Sequence, residues 1–340
     1  MRIFAIIVIV LVVLLGAAWL KLSGPDIPYD VLDAKYSDAN SHFVDLPGGF
    51  HAHYQEVGDP HLPLLLLLHG FGDSYTSWEG WVRELKSQFH IISLDFPGHG
   101  LTQAPDGYEL RLGRLADFVD AFATALSLPK FALAGNSMGG GVAWQFALKH
   151  PERIDALILV DAAGFANEGP PPETPLAFKL LRYPLGRAFL RNIDNRPLID
   201  SGLKVDVYDK AVITPALVDR WAEFQRAPGH RAILMSIDFS DAAQASEDVL
   251  RNITVPTLVL NGENDVLIEP KSAEKFARAI PGAKLILYPH VGHLPQIEIP
   301  QRSAADVAAF LHAAGAAAGT TASAVTASAV TADERPRTRE

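Results

Sequence analysis

Between residues 42 and 313 short apolar runs alternate with amphipathic helical patterns, and this alternation restricts the fold more than any other feature. His42–Leu46 and His51–Val57, separated by Pro47-Gly48-Gly49, read as a hairpin. Pro63–Leu68, His90–Asp95, Phe131–Gly135, Ala156–Val160, Thr257–Leu260 and Lys284–Tyr288 are strand-length apolar runs, as a sheet buried on both faces requires. Helical spacing over Leu110–Leu128, Met138–His150, Lys271–Ile280 and Gln301–Ala313 falls between or after them. Repeated β–α units predict an α/β fold, a mostly parallel sheet with helices on both faces. The rhythm breaks between Phe165 and Asn252, about 90 residues, far beyond an ordinary crossover. A Pro-rich connector from Glu168 to Pro175 opens this stretch. Leu217, Trp221 and Phe224 at i, i+4, i+7, then Ile233 and Ile237 at i, i+4, give helical spacing. The expectation is an inserted helical cap over 165–252, dividing a core into 42–164 and 253–313.

At the junction of one strand pattern and the next helix stands Gly135-Asn136-Ser137-Met138-Gly139, with glycines again at 140 and 141. A serine on so tight a turn has strained backbone angles, and side chains two positions to either side would collide with it. Such a hydroxyl attacks a carbonyl only when a neighbouring base takes its proton. Tyr288-Pro289-His290-Val291-Gly292-His293, in the loop after the last strand, offers His290 and His293. A carboxylate must then hold the imidazole. Asp265 follows the strand ending at Leu260, and parallel strands bring that loop to the same sheet edge as Ser137. Glu263 and Asp161 are rivals, with plainer readings as turn or helix-capping groups. Two amides suit a developing oxyanion, that of Met138 directly after the serine and that of Phe71 in His69-Gly70-Phe71-Gly72.

Other chemistries find less support. The chain has no cysteine, which excludes disulfides, thiolate nucleophiles and Cys-ligated metals. Among its 12 histidines, His51 and His53 share a strand face without a third ligand, so no metal site is expected. A net charge of −10 and the lack of a basic stripe argue against nucleic acid.

With Asp95-Phe96-Pro97-Gly98-His99-Gly100 and His150-Pro151-Glu152-Arg153-Ile154, these motifs resemble the α/β-hydrolase superfamily over roughly residues 42–313. The resemblance implies an eight-stranded sheet with the cap between its sixth and seventh strands, and it selects His293 as the base. The Gly-Asn-Ser-Met-Gly-Gly elbow and the His-Gly-Phe stretch are similar to membrane-associated or exported bacterial lipases and carboxylesterases. That likeness implies carboxylic-ester hydrolysis by Ser137, His293 and Asp265 through an acyl-enzyme, with no cofactor. The substrate would be a small-molecule or lipid ester, and apolar cap residues such as Leu176, Phe178, Leu180, Trp221 and Phe224 suit a longer acyl chain. Trp221 and Phe224 are the expected substrate contacts. Serine C–C hydrolases of ring-cleavage products share the elbow. They typically carry Gly-Pro-Gly where this chain has Phe71-Gly72-Asp73, and commonly a Trp where it has Leu294. A hydrolase fold that binds a ligand without catalysis is the alternative of another class.

The ends differ from the middle. Ile3 to Leu20 is an uncharged, largely aliphatic run flanked by Arg2 and Lys21. As a helix it would span about 27 Å, near the bilayer's hydrocarbon thickness. Residues 1–21 therefore read as a single membrane anchor with the rest of the chain extracytoplasmic. The other reading is a cleaved signal peptide, with Gly16-Ala17-Ala18 near the cut and a secreted or periplasmic product. Residues 314–340 repeat Thr-Ala-Ser-Ala-Val and read as a low-complexity, disordered tail.

Overall fold

Five consecutive leucines, Leu64–Leu68, form a strand in which every residue is buried. Strand side chains alternate between faces, so Leu66 and Leu68 enter one apolar cluster while Leu65 and Leu67 enter another. The neighbouring strands divide likewise: Leu157 and Leu159 face the first cluster, Ile158 and Val160 the second. Such strands are stable only with helices on both faces. Leu112–Ala125, Met138–Lys149 and Pro270–Ala279 cover one face with Phe122, Phe146 and Phe276. Glu79–Leu85 and a helix over 300–315 cover the other with Trp81, Val307 and Phe310.

The chain is described here by a computed structural model over residues 2–169, 173–238 and 244–315. Eight strands, β1 (Ser41–Leu46), β2 (Phe50–Val57), β3 (Leu64–Leu68), β4 (His90–Leu94), β5 (Phe131–Asn136), β6 (Ile154–Val160), β7 (Thr257–Gly262) and β8 (Lys284–Tyr288), make one sheet. Their order is β1-β2-β4-β3-β5-β6-β7-β8, with β2 antiparallel to both of its neighbours and the remaining pairs parallel. The loops after β3, β5, β6, β7 and β8 therefore open on one edge. Leu68 pairs with Gly135, Asn136 with Val160, and Gly262 with Tyr288, which brings the ends of these strands level.

Each strand expected from the sequence is present. The helix expected over Leu110–Leu128 is shorter, because Ser127 turns to φ 51°. Glu79–Leu85 carried no helical signal in the sequence, since seven residues hold too few repeats to read. Between β6 and β7 lie the helices Leu176–Leu181, Pro184–Asn192, Arg196–Asp206, Pro215–Gln225, His230–Leu234 and Glu247–Leu250. A helix Tyr29–Tyr36 braces this insertion: Leu32 packs with Tyr75, Leu101 and Phe224, and Lys35 Nζ donates to Glu223 at 2.8 Å.

Among the described residues no helix is long and apolar enough to cross a membrane. That finding overturns the N-terminal anchor over residues 1–21 and the extracytoplasmic placement that depended on it. A crossing needs about 20 consecutive apolar residues, and no helix among the described residues supplies them. Just past this helix the chain joins the insertion, the Asp194 amide donating to the Leu22 carbonyl at 2.8 Å. Of the expected tail, residues 314 and 315 are helical and 316–340 lie outside the described residues.

Candidate active site

Ser137 leaves β5 with φ 54° and ψ −116°, a conformation that side-chain-bearing residues rarely adopt. It persists because the surroundings over-determine it. The Ser137 amide donates to the Val160 carbonyl at 3.0 Å, while its own carbonyl accepts from the Gly141 and Ala163 amides, each at 3.0 Å. The flanking glycines are required by space. A Cβ at Gly135 would lie 2.2 Å from the Gly139 carbonyl oxygen, and one at Gly139 2.2 Å from that of Leu68. Met138 begins the helix Met138–Lys149, where first-turn amides have no partner within the helix and the dipole favours negative charge.

His293 is held on three sides. Its Nδ1 meets Asp265 Oδ2 at 2.7 Å, its amide donates to the Asp206 carbonyl at 2.7 Å, and its carbonyl accepts from Asn136 Nδ2 at 3.2 Å. Asp265 is buried, and its Oδ1 accepts from the Leu267 and Ile268 amides at 2.7 and 2.9 Å, which aims Oδ2 at the ring. With Nδ1 committed to the carboxylate, Nε2 is the nitrogen that can serve as base. Burial disfavours the imidazolium, yet the charge and hydrogen bond of Asp265, aided by Asp206 and Glu298, raise the His293 pKa above its ordinary value.

Ser137, His293, Met138, Phe71 and Trp221 line one cavity of about 910 Å³. His69 steadies the loop that bears Phe71: Nδ1 bonds to the Gly70 carbonyl at 2.7 Å and Nε2 accepts from the Phe96 amide at 3.0 Å. Burial lowers the His69 pKa, so it serves here as a neutral ring. Phe224 does not reach the cavity but packs against Leu32 and Tyr75. His290 is exposed, at φ 60°, with its ring 5.2 Å from that of Tyr208, and Glu263 is exposed as well.

Asp161 is buried after β6, where its Oδ1 accepts from the Gly262 amide at 2.9 Å. Burial first, and then the charge of Asp265, push its pKa well above the carboxylate range. Asp161, Asp265 and His293 place ligand-type atoms within 4.8 Å of one another, and the Asp265–His293 hydrogen bond already accounts for that closeness. Sequence reasoning missed Asn136, Asp206 and Glu298. Glu298 accepts from the Gly292 and Tyr208 amides, both at 2.8 Å, and from that of Asp209 at 3.1 Å, fastening the histidine loop to the insertion. Only the position of Asn136, next to the serine, could have drawn attention to any of the three.

This sheet order, the elbow after β5 and the converging loops define an α/β-hydrolase. The chain belongs to that family: a family model for the alpha/beta hydrolase fold matches residues 63–300. It is 30% identical over 263 residues to 2-hydroxymuconate semialdehyde hydrolase of Pseudomonas sp. (strain CF600), covering 75% of this chain and 88% of that one. Lipase 1 of Psychrobacter immobilis is 26% identical over 286 residues, 81% of this chain and 84% of the lipase. A crystal structure of a membrane phospholipase A, a bacterial virulence factor, superposes with TM-score 0.70 at 27% identity, covering 92% of this chain and 99% of that one.

Proposed function

We propose that the protein hydrolyses carboxylic esters, with Ser137 as nucleophile, His293 as general base and Asp265 as its orienting partner. The observation that carries this reading is that His293, paired with Asp265 at 2.7 Å, borders the same cavity as a serine at φ 54°. Ser137 Oγ attacks the ester carbonyl as His293 Nε2 takes its proton. The resulting oxyanion is held by the Met138 and Phe71 amides. His293 returns the proton to the departing alcohol. It then activates a water that releases the acid from the acyl-enzyme.

Residues 165–252 act as the cap over a core built from 42–164 and 253–313. Cap residues Phe178, Leu181, Leu190, Leu203 and Met235 give the cavity apolar walls suited to an acyl chain, and burial of each methylene is worth about 0.8 kcal/mol. Trp221 is the proposed substrate contact on that side. Octanoyl esters should therefore turn over faster than acetyl esters of the same alcohol. A strong preference for acetyl would defeat the long-chain version.

A second reading, C–C bond hydrolysis, rests on the 30% identity to 2-hydroxymuconate semialdehyde hydrolase. Phe71-Gly72-Asp73 and Leu294 stand against it. A panel of aliphatic esters alongside a vinylogous diketone decides between the two reactions.

A further inference from the structure

Asp95 opens the stretch Asp95-Phe96-Pro97-Gly98-His99-Gly100 after β4 and has no part in the chemistry described above, yet it is fully buried. A buried carboxylate is costly unless hydrogen bonds satisfy it. Three separate segments do so. The Tyr75 amide donates to Oδ1 at 2.7 Å, the Leu101 amide to Oδ2 at 3.0 Å, and His53 Nδ1, on β2, to Oδ2 at 2.7 Å. Bonds to a carboxylate are stronger than those between neutral groups. The backbone leaves room for them: Gly100 has φ 51°, and a Cβ there would lie 1.9 Å from Asp95 Oδ2.

Residues 95 and 96 together hold both ends of the loop that carries the Phe71 amide. At its start the Phe96 amide donates to His69 Nε2 at 3.0 Å, and at its end Asp95 receives the Tyr75 amide. Between these points the Gly70 carbonyl accepts from His69 Nδ1 at 2.7 Å and from the Asp73 amide at 3.4 Å, closing a turn with Phe71 and Gly72 at its centre. The tie from the helical insertion is longer than either end clamp, Gln225 Nε2 donating to the Gly72 carbonyl at 3.3 Å. The direction of the Phe71 N–H is therefore set from the end of β4.

We propose that Asp95 is a positioning residue for the oxyanion: through Tyr75 it aims the Phe71 amide at the carbonyl oxygen that gains charge, and His53 holds Asp95 in place. The inference rests on the ester reading, with Phe71 as a donor, and adds to it what sets that donor's direction. Neither Asp95 nor His53 lines the cavity, so neither contributes to holding the substrate. An oxyanion donor acts as the charge forms, and one aimed wrongly slows the chemical step while leaving ground-state binding intact.

The test uses the full chain, an octanoyl ester and two inhibitors, octyl trifluoromethyl ketone and octyl methyl ketone. With the fluorinated ketone the serine oxygen bonds to the carbonyl carbon, the serine proton passes to His293, and the carbonyl π electrons become the oxyanion. The methyl ketone fills the same cavity with its carbonyl intact. Asp95→Asn keeps the shape but loses one acceptor oxygen. It should lower kcat about tenfold at unchanged KM and weaken the fluorinated ketone by the same factor, with the methyl ketone unaffected. His53→Leu should give the same pattern, and His53→Asn, which can set an N–H where Nδ1 stood, should recover most of the kcat. Where Asp95→Asn does not fold, the two His53 variants decide by the same criteria. An unchanged kcat, equal losses for the two ketones, or no recovery in His53→Asn overturns the positioning role and leaves ester hydrolysis standing. A parent chain that cleaves no ester and binds the fluorinated ketone no better than the methyl ketone removes the ester reading and this inference together.

Discussion

Asn136 Nδ2 donates to the carbonyl of His293 at 3.2 Å across 157 positions of chain, tying the residue before the proposed nucleophile to the residue proposed as base. The same amide group also reaches the Val160 carbonyl at 3.2 Å. The elbow and the histidine loop are therefore set against each other by a side chain that contacts no reacting atom. Asn136→Ala should lower kcat about tenfold with KM little changed, because misplacement of a base by a fraction of an ångström slows the chemical step. Steady-state kinetics on an octanoyl ester measure it. A rise in KM at constant kcat would show instead that Asn136 serves binding.

The pH dependence follows from the neighbours of His293. Its pKa is raised, and the base works only when neutral, so kcat/KM should fall with decreasing pH through a midpoint above the ordinary histidine value of about 6.5. The Asp206 carboxylate is one of the charges favouring the imidazolium. Removing that charge in Asp206→Asn lowers the pKa, so the acid limb should move to lower pH. A limb that stays in place would show that Asp206 does not act on the base.

Burial, and then the charge of Asp265, raise the Asp161 pKa well above the carboxylate range. Because its folded pKa is raised, its favourable contribution is complete below the unfolded value of about 3.9 and is lost as pH rises through the folded pKa. Asp161→Asn can keep the acceptor for the Gly262 amide and has no charge to bury. Its Tm relative to the parent should increase between pH 4 and pH 8, with kcat/KM within a few-fold. Asp265→Asn, in contrast, should cost several orders of magnitude in kcat. Comparable losses in both variants would make Asp161 the orienting carboxylate.

The elbow's glycines make a steric prediction. In Gly139→Ala the new methyl would lie 2.2 Å from the Leu68 carbonyl and 2.6 Å from that of His69, both backbone atoms that cannot turn aside. Urea denaturation should show a loss of about 1–3 kcal/mol, with activity lost beyond what the unfolded fraction explains. Stability equal to the parent would mean that the strand and helix separate more easily than their packing suggests.

What could be read from the chain before its structure was local in origin. The strand Leu64–Leu68 declares itself because a run of leucines can only be buried, and the elbow because few other turns need glycine on both sides of a serine. Ser137, Asp265 and His293 could be grouped because parallel topology delivers their loops to one edge. Asp206 and Glu298 were illegible, since their positions depend on how the helical insertion seats on the histidine loop. Phe224 lies away from the cavity for a related reason. Helical spacing sets it on one face with Trp221, but the Tyr29–Tyr36 helix, which carries little periodic signal, packs Leu32 against it. The N-terminal run invited a reading by length and hydropathy alone, which the described helix does not sustain.

Covalent labelling tests the central claim most directly. A fluorophosphonate reacts only with a serine whose proton a neighbouring base removes, so mass mapping of the labelled chain reports the activated residue. The adduct should fall on Ser137 alone, and Ser137→Ala should abolish labelling and lower ester turnover about 10⁴-fold or more while the chain stays folded. An adduct on another residue, or turnover unchanged in Ser137→Ala, would contradict the account.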